Sequence, residues 1–268
     1  MAIAASGAGL SHAYAQPTFD YSHSAWDALL RAHVRLIRVG AQVTASRLDY
    51  RGISADRATL RAYLQSLSAV TAAQYAGWAK AEQYAFLANA YNAFTVEKVL
   101  TRYPEIKSIR DFGTVIGNPW KDRFFTLLGT RQNLDGIEHD VMRKPGEFDD
   151  PRVHVAVNCA SVGCPMLNDR AFTAERLDAQ LDELFIRFMA DRSRNRYDPT
   201  SKAVRLSRIF DWYRSDFSRG HKGFFSMNDV VARYADQLAD APADRALLRS
   251  GSVPIEFLEY DWSLNDVR

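Results

Sequence analysis

Cysteine is almost absent from this 268-residue chain, which holds two residues of that type, Cys159 and Cys164. Two thiols separated by four residues cannot form the disulfide framework of a small secreted scaffold, so they belong to a site or a small clip. Lysine is scarce as well: of 34 cationic residues 27 are Arg and 7 are Lys. That bias is the one expected of a GC-rich genome, and individual arginines carry little weight. An excess of one charge is also lacking, since 34 Lys+Arg stand against 32 Asp+Glu for a net charge of +2. Such a balance supplies no strong field for nucleic acid or for an anionic membrane surface. No apolar run approaches the roughly 18 residues of a spanning helix, so no transmembrane segment is expected. The patterns G-x-S-x-G, G-x4-G-K-[ST] and G-x-G-x-x-G are missing, which removes the usual serine-hydrolase, phosphate-loop and dinucleotide readings; no cofactor is expected.

What is present is ordinary for a soluble globular protein: 47% apolar, 12% aromatic and 25% charged residues. Disorder is excluded. At this length one core buries roughly 70% of the unfolded chain's surface. With no internal repeat, low-complexity tract or long linker, residues 17–268 read as a single domain. Residues 1–16 end in Ala13-Tyr14-Ala15 before Gln16, the small-x-small form of a processing site. They read as a signal-peptide remnant or a floppy tail, and the former implies a periplasmic or secreted protein.

Periodicity predicts a helix over 24–40 through Trp26, Leu29, Leu30, Val34 and Ile37, capped by Ser22 or Ser24. An extended piece follows around Ser46 to Tyr50, then a helix through Leu60, Tyr63, Leu64 and Leu67. The longest periodic segment, 80–102, stops before Pro104 and is expected to be central. Phe124–Leu128 reads as a strand, with Asn133 capping a helix that carries Leu134, Ile137 and Val141. Val153–Val157, short and β-branched, reads as a buried strand. A helix from Thr173 precedes Asp191–Ser201, read as an exposed connection. Ala203–Leu206 is expected as an edge strand, Ser207 as a cap for Ile209–Tyr213, Ser226–Leu238 as a helix, and Ile255–Tyr260 as a half-exposed strand. Helices and strands do not alternate as βαβ units, so the class is α+β, with helices packed around a small, mainly antiparallel sheet.

Chemistry concentrates in Val153–Pro165, which places His154, Asn158, Cys159, Ser161 and Cys164 where the expected strand ends. A thiol becomes a nucleophile only when it ionises near neutrality, through a neighbouring cation, an imidazole or free backbone N–H groups. The small residues after Cys159 offer amides to surround it and to bind an oxyanion. Strand alternation would put His154, Ala156 and Asn158 on one face, so His154 need not meet Cys159. His139 is a second candidate base. On a regular helix Glu138 would not pair with it but would share a face with Leu134 and Val141, a half-buried acid in need of a polar partner. Asn89 and Asn92 interrupt the most apolar helix and point to a polar pocket beside the core. Two further readings of the cysteines stay open: a small disulfide loop, and zinc held by His139, His154, Cys159 and Cys164. His12, His23, His33 and His221 fall in expected tail, helix-surface or loop positions and receive no role.

The segments Glu82–Phe94, Leu134–His139, His154–Pro165, Phe210–Tyr213 and Tyr260–Asn265, in that order, resemble the family known as domain of unknown function 547. The resemblance spans residues 78–265 and implies a fold and a set of site residues more than a reaction. It further suggests kinship with papain-like and transglutaminase-like thiol enzymes, whose cores set a long helix on a small antiparallel sheet. Those enzymes start the central helix with their cysteine. Here that helix carries Asn89 and Asn92 instead, so thiol chemistry would use Cys159 in a rearranged or permuted site, or the domain only binds.

Two functions are therefore expected. In the first, a thiol-dependent hydrolase or acyl transferase acts on a small peptide or amide-type substrate. Cys159 is then nucleophile, His139 or His154 base and acid, and Glu138 the residue that orients the imidazole. Asn89, Asn92, Asn158, Ser161 and Cys164 contact the substrate. In the second, a degenerate site binds a small peptide or thiol ligand without turnover.

Overall fold

The computed structural model describes residues 19–113, 118–251 and 253–267; the processing-site reading at residues 13–16 lies outside them. The chain is α+β. Its strands form three small sheets, mostly antiparallel: β1 (Val34–Val39) with β2 (Gln42–Leu48), β3 (Phe125–Leu127) with β4 (Thr130–Gln132), and β5 (Arg196–Asp198), β6 (Ala203–Leu206) and β7 (Ile255–Phe257) in that order. β5 and β6 are antiparallel, whereas β6 and β7 are parallel, with Arg205 opposite Glu256.

The central helix is Lys80–Leu100. Glu82 opens it by accepting a hydrogen bond from the N–H of Ala79 at 2.8 Å. Its side chains are buried on every face rather than along one stripe, which is the behaviour of a helix inside the core. The polar groups it carries must then find partners within the protein. Thr95 donates to the carbonyl of Tyr91, and Lys98 donates to the carbonyl of Pro119 and to Asp122. Asn89 and Asn92 bond backbone, as described below.

The structure corrects several expectations. The helix predicted over 24–40 ends at His33 and continues as β1. Val34, Ile37 and Val39 are β-branched, and Gly40, at φ +60°, supplies the left-handed turn into β2. Val153–Ala156 is one helical turn, not a strand; its burial was foreseen, its conformation was not. Arg152 fixes that turn to the following helix, Leu177–Ala190, through Asp178 at 2.6 Å and Asp182 at 2.5 Å. Ala203–Leu206 is the middle strand of its sheet rather than an edge. The segment 191–201 is no exposed connection, because Asp191 and Asn195 are buried and β5 lies within it. The helix expected over Ser226–Leu238 breaks at Tyr234 into Met227–Arg233 and Ala235–Leu238. His23 and His33 are buried, not on a surface or in an open loop. No helix among the described residues is long and apolar enough to cross a membrane.

Candidate active site around Cys159

After the turn Val153–Ala156 the chain enters a loop whose shape is set almost wholly by hydrogen bonds. Asn92, from the central helix, donates to the carbonyl of Ala156 and accepts from the N–H of Asn158, both at 2.8 Å. Asn158 donates to the carbonyl of Pro165 at 2.7 Å and accepts from the N–H of Ala160 at 2.9 Å. Ala160, immediately after Cys159, is held at φ +63°, a strained value for a residue with a Cβ. The C-terminal segment closes the loop: Val162 and Gly163 donate to the carbonyls of Ser263 and Asp261, each at 2.8 Å. A Cβ on Gly163 would stand 3.0 Å from backbone atoms of Asp261 and would push them apart by a few tenths of an ångström, so the close approach favours glycine. Arg194 completes the frame by donating to the carbonyls of Val162 and Cys164.

This loop presents the cysteines to a cavity of about 310 Å³, which Glu138, His139 and His154 also line. Cys159 is partly exposed and Cys164 buried, and both are free thiols with sulfurs 2.7 Å apart. The hydroxyls of Ser161 and Tyr260 lie 2.9 Å and 3.2 Å from Cys159 Sγ. Burial pushes the Cys159 thiol up, but hydrogen bonds from Cys164, Ser161 and Tyr260 and from the backbone of Ser161 outweigh it, bringing its pKa down to about 7. Cys164 moves the other way: burial first, then the hydrogen bond and charge of Cys159, hold its pKa well above the usual thiol range. Among the described residues no histidine hydrogen-bonds Cys159.

The opposite wall is ionic. Asn133 accepts from the N–H of Gly136 at 2.6 Å and starts the helix Gly136–Met142. It is wound as a π-helix, with Arg143 N–H donating to the carbonyl of Glu138. Glu138 and His139 consequently both line the cavity, 3.8 Å apart, contrary to the expectation for a regular helix. Burial raises the pKa of Glu138, against the lowering influence of His139, Arg143 and a hydrogen bond from Tyr91. The Arg143 guanidinium, which can only donate, lies 2.8 Å from His139 Nδ1. We therefore assign the His139 ring proton to Nε2, which lies 3.7 Å from Asp135. His154 is buried, bonded through Nε2 to Asp216 at 2.9 Å and stacked 4.1 Å from the Tyr213 ring. Burial drives its pKa down to about 4 against the hydrogen bond to Asp216, and the charge of Arg143, which binds the same carboxylate at 2.6 Å, lowers it further.

An aromatic rim completes the cavity: Tyr260 and Trp262 lie 4.5 Å apart, Trp212 stacks on Trp262 at 5.6 Å, and Trp120 meets Trp262 at 5.8 Å.

The structure thus brings Cys159, Cys164, Glu138, His139 and His154 to one cavity. Asn89 and Asn92 are not among its lining residues. Asn89 donates to and accepts from the backbone of Phe172, and Asn92 clamps the cysteine loop, so the amides of both are committed to backbone. Asn158 is likewise a loop clamp, while Ser161 is buried and reaches the site through its hydroxyl. The expected oxyanion amides are occupied: Ala160 by Asn158, Val162 by Ser263, Gly163 by Asp261, Cys164 by the carbonyl of Ser161, and the Ser161 amide by Cys159 itself. Sequence reasoning missed Tyr91, Asp135, Arg143, Arg194, Tyr213, Asp216 and Tyr260. Arg143 carried a signal, standing four residues after His139; Tyr213 and Tyr260 lie in segments that carried the resemblance. Among the described residues no group of three or more His, Cys, Asp or Glu side chains is placed to hold a metal ion.

Residues 75–189 match the family described as "Protein of unknown function, DUF547". Over this segment the chain is similar to that family. The match covers the central helix, the π-helix and the cysteine loop, whereas Asp216, Tyr260 and the aromatic rim beyond Trp120 come from outside it. Neither curated proteins nor solved structures gave a match to the chain.

Proposed function

We propose that this protein is a thiol-dependent hydrolase or acyl transferase acting on a small peptide or amide-type substrate, with Cys159 as nucleophile. The observation that carries the reading is a partly exposed sulfur, lowered to a pKa of about 7, on the wall of a cavity shared with an imidazole and a carboxylate. A thiol so poised is substantially ionised at neutral pH and needs no base to become a nucleophile. For turnover His139 must take up a proton: as imidazolium it gives that proton to the leaving amine, and as neutral imidazole it takes one back from the deacylating water or amine. Glu138 and Arg143 hold the ring. His154 acts as a positioning residue, since its Nε2 is committed to Asp216. Tyr260, with its hydroxyl beside Cys159, is the donor we assign to the developing oxyanion. A nucleophile outside the central helix is the permuted arrangement that kinship with papain-like or transglutaminase-like enzymes would require. We place this activity in the periplasm or outside the cell, on the strength of Ala13-Tyr14-Ala15.

One observation favours the second reading, a module that binds a small peptide or thiol ligand without turnover: the loop amides that would form a backbone oxyanion hole are already bonded. A trapping experiment separates the two. In reductant, protein incubated with an activated acyl thioester and digested for mass spectrometry is expected to carry the acyl group on Cys159. That adduct should be absent in Cys159→Ser and should persist longer in His139→Ala. Saturable binding of the thioester without any adduct would overturn catalysis in favour of binding.

A further inference from the structure

The acyl-transfer reading uses one sulfur, yet the cavity holds two. Cys159 and Cys164 are the chain's only cysteines, they are unbonded, and their sulfurs stand 2.7 Å apart in a loop fixed at both ends. Both sulfurs line the cavity, but Cys164 is 6% exposed and Cys159 more so, which makes Cys159 the more accessible of the two to an entering molecule. Their surroundings are asymmetric too. Cys159 faces the hydroxyls of Ser161 and Tyr260, which stabilise a thiolate, while Cys164 accepts the N–H of Cys159 at 3.0 Å.

We infer that this pair is an exchanging dithiol, in which Cys159 attacks a small organic disulfide admitted by the aromatic-rimmed cavity and Cys164 resolves the product. The inference rests on the nucleophilic Cys159 of the preceding section and on nothing else of the acyl-transfer reading. In the first step the Cys159 thiolate attacks one sulfur of R–S–S–R′, forming a Cys159–S–S–R bond as R′–S⁻ leaves. In the second, Cys164 attacks Cys159 Sγ, the Cys159–Cys164 bond forms, and R–S⁻ leaves, with the Cys164 proton passing to one of the departing thiolates. The substrate disulfide gains two electrons and becomes two thiols; the protein dithiol loses the same two. The opposed shifts of the two thiols suit this order of events. Cys159 is ionised near neutrality, and the Cys159 charge that helps hold Cys164 protonated disappears once Cys159 is in a mixed disulfide. Run backwards with small thiols in excess, the same steps return the dithiol and restore the nucleophile.

The test equilibrates the full chain, without acyl donor, in anaerobic mixtures of reduced and oxidised glutathione, followed by acid quench, alkylation and intact mass measurement. Wild type is expected to pass reversibly from two alkylated thiols to none, with the loss of two hydrogens and no adduct retained. Cys164→Ser should stop at one glutathione adduct on Cys159, and Cys159→Ser should form neither species. Two alkylatable thiols across the whole series, or a wild type that halts at the adduct, would overturn the inference. Should Cys164→Ser fail to fold, the wild-type series still decides, because ring closure is read there. Acylation is assayed separately in reductant, so each reading fails on its own measurement.

Discussion

The two walls of the cavity tune their titratable groups by different means. On the π-helix side one buried ion pair, Arg143 with Asp216, contacts two neutral rings: Arg143 donates to His139, and Asp216 holds His154. On the cysteine side the donors are neutral. Two hydroxyls, a thiol and a backbone amide bring Cys159 down to about 7 against its burial, and no imidazolium is among these principal influences. The contrast implies that a thiol can be lowered toward neutrality by neutral donors, without the cysteine–histidine pair that the sequence suggested. In the proposed acyl transfer, His139 is then left for proton transfer at a later step.

The largest expected effect comes from breaking the ionic wall. Asp216→Ala leaves Arg143 and His154 without their shared carboxylate, and removing one partner of a buried pair costs about 3–5 kcal/mol. Chemical denaturation should show that loss, while Cys159 alkylation in the surviving folded fraction should change little.

Acid should separate the walls next. His154 in the site and His23 far from it both stand at a pKa of about 4 when folded, chiefly through burial, whereas unfolded rings take up a proton near 6.5. The unfolded chain therefore binds more protons between these values. Stability is fully present above about 6.5 and falls as pH drops toward 4, by roughly 2–3 kcal/mol per ring. Melts of wild type and His23→Gln across that window measure it, and the variant should show the shallower fall. A flat profile would return His154 to an exposed setting.

A smaller loss is expected at the asparagines that hold the cysteine loop and its surroundings. Asn92→Leu and Asn89→Leu each strand a backbone N–H and a carbonyl, at about 1–3 kcal/mol per variant. Asn92→Leu should also weaken Cys159 reactivity, whereas Asn89→Leu, whose partner is Phe172, should leave it intact. Equal effects on reactivity would contradict the assignment of Asn92 to the loop.

The sequence made the central helix legible because its apolar run is long and ends ahead of Pro104, and it placed Cys159, Cys164, Glu138, His139 and His154 among the candidates. It misread Val153–Val157 because a short β-branched apolar run looks the same whether it forms a buried strand or one buried helical turn. Arg194 lies in the segment Asp191–Ser201, which reads as an exposed connection, and nothing local reveals that its guanidinium reaches back to Val162 and Cys164. Asp216 and Tyr260 join the site across 62 and 101 residues of chain, distances over which spacing carries no signal. The π-helix was hidden for a different reason: its residues have ordinary helical periodicity, and the wider turn shows in backbone hydrogen bonds such as that from Arg143 to Glu138.

The origin of the thiolate is the central claim, and the pH dependence of Cys159 alkylation by iodoacetamide under reducing conditions tests it most directly. Wild type should show a midpoint near 7. Tyr260→Phe and Ser161→Ala should each move it upward, toward the roughly 8.5 of a free cysteine, and His139→Ala should leave it in place. A midpoint that rises in His139→Ala and stays put in Tyr260→Phe would contradict the account and restore the imidazole as the group that ionises Cys159.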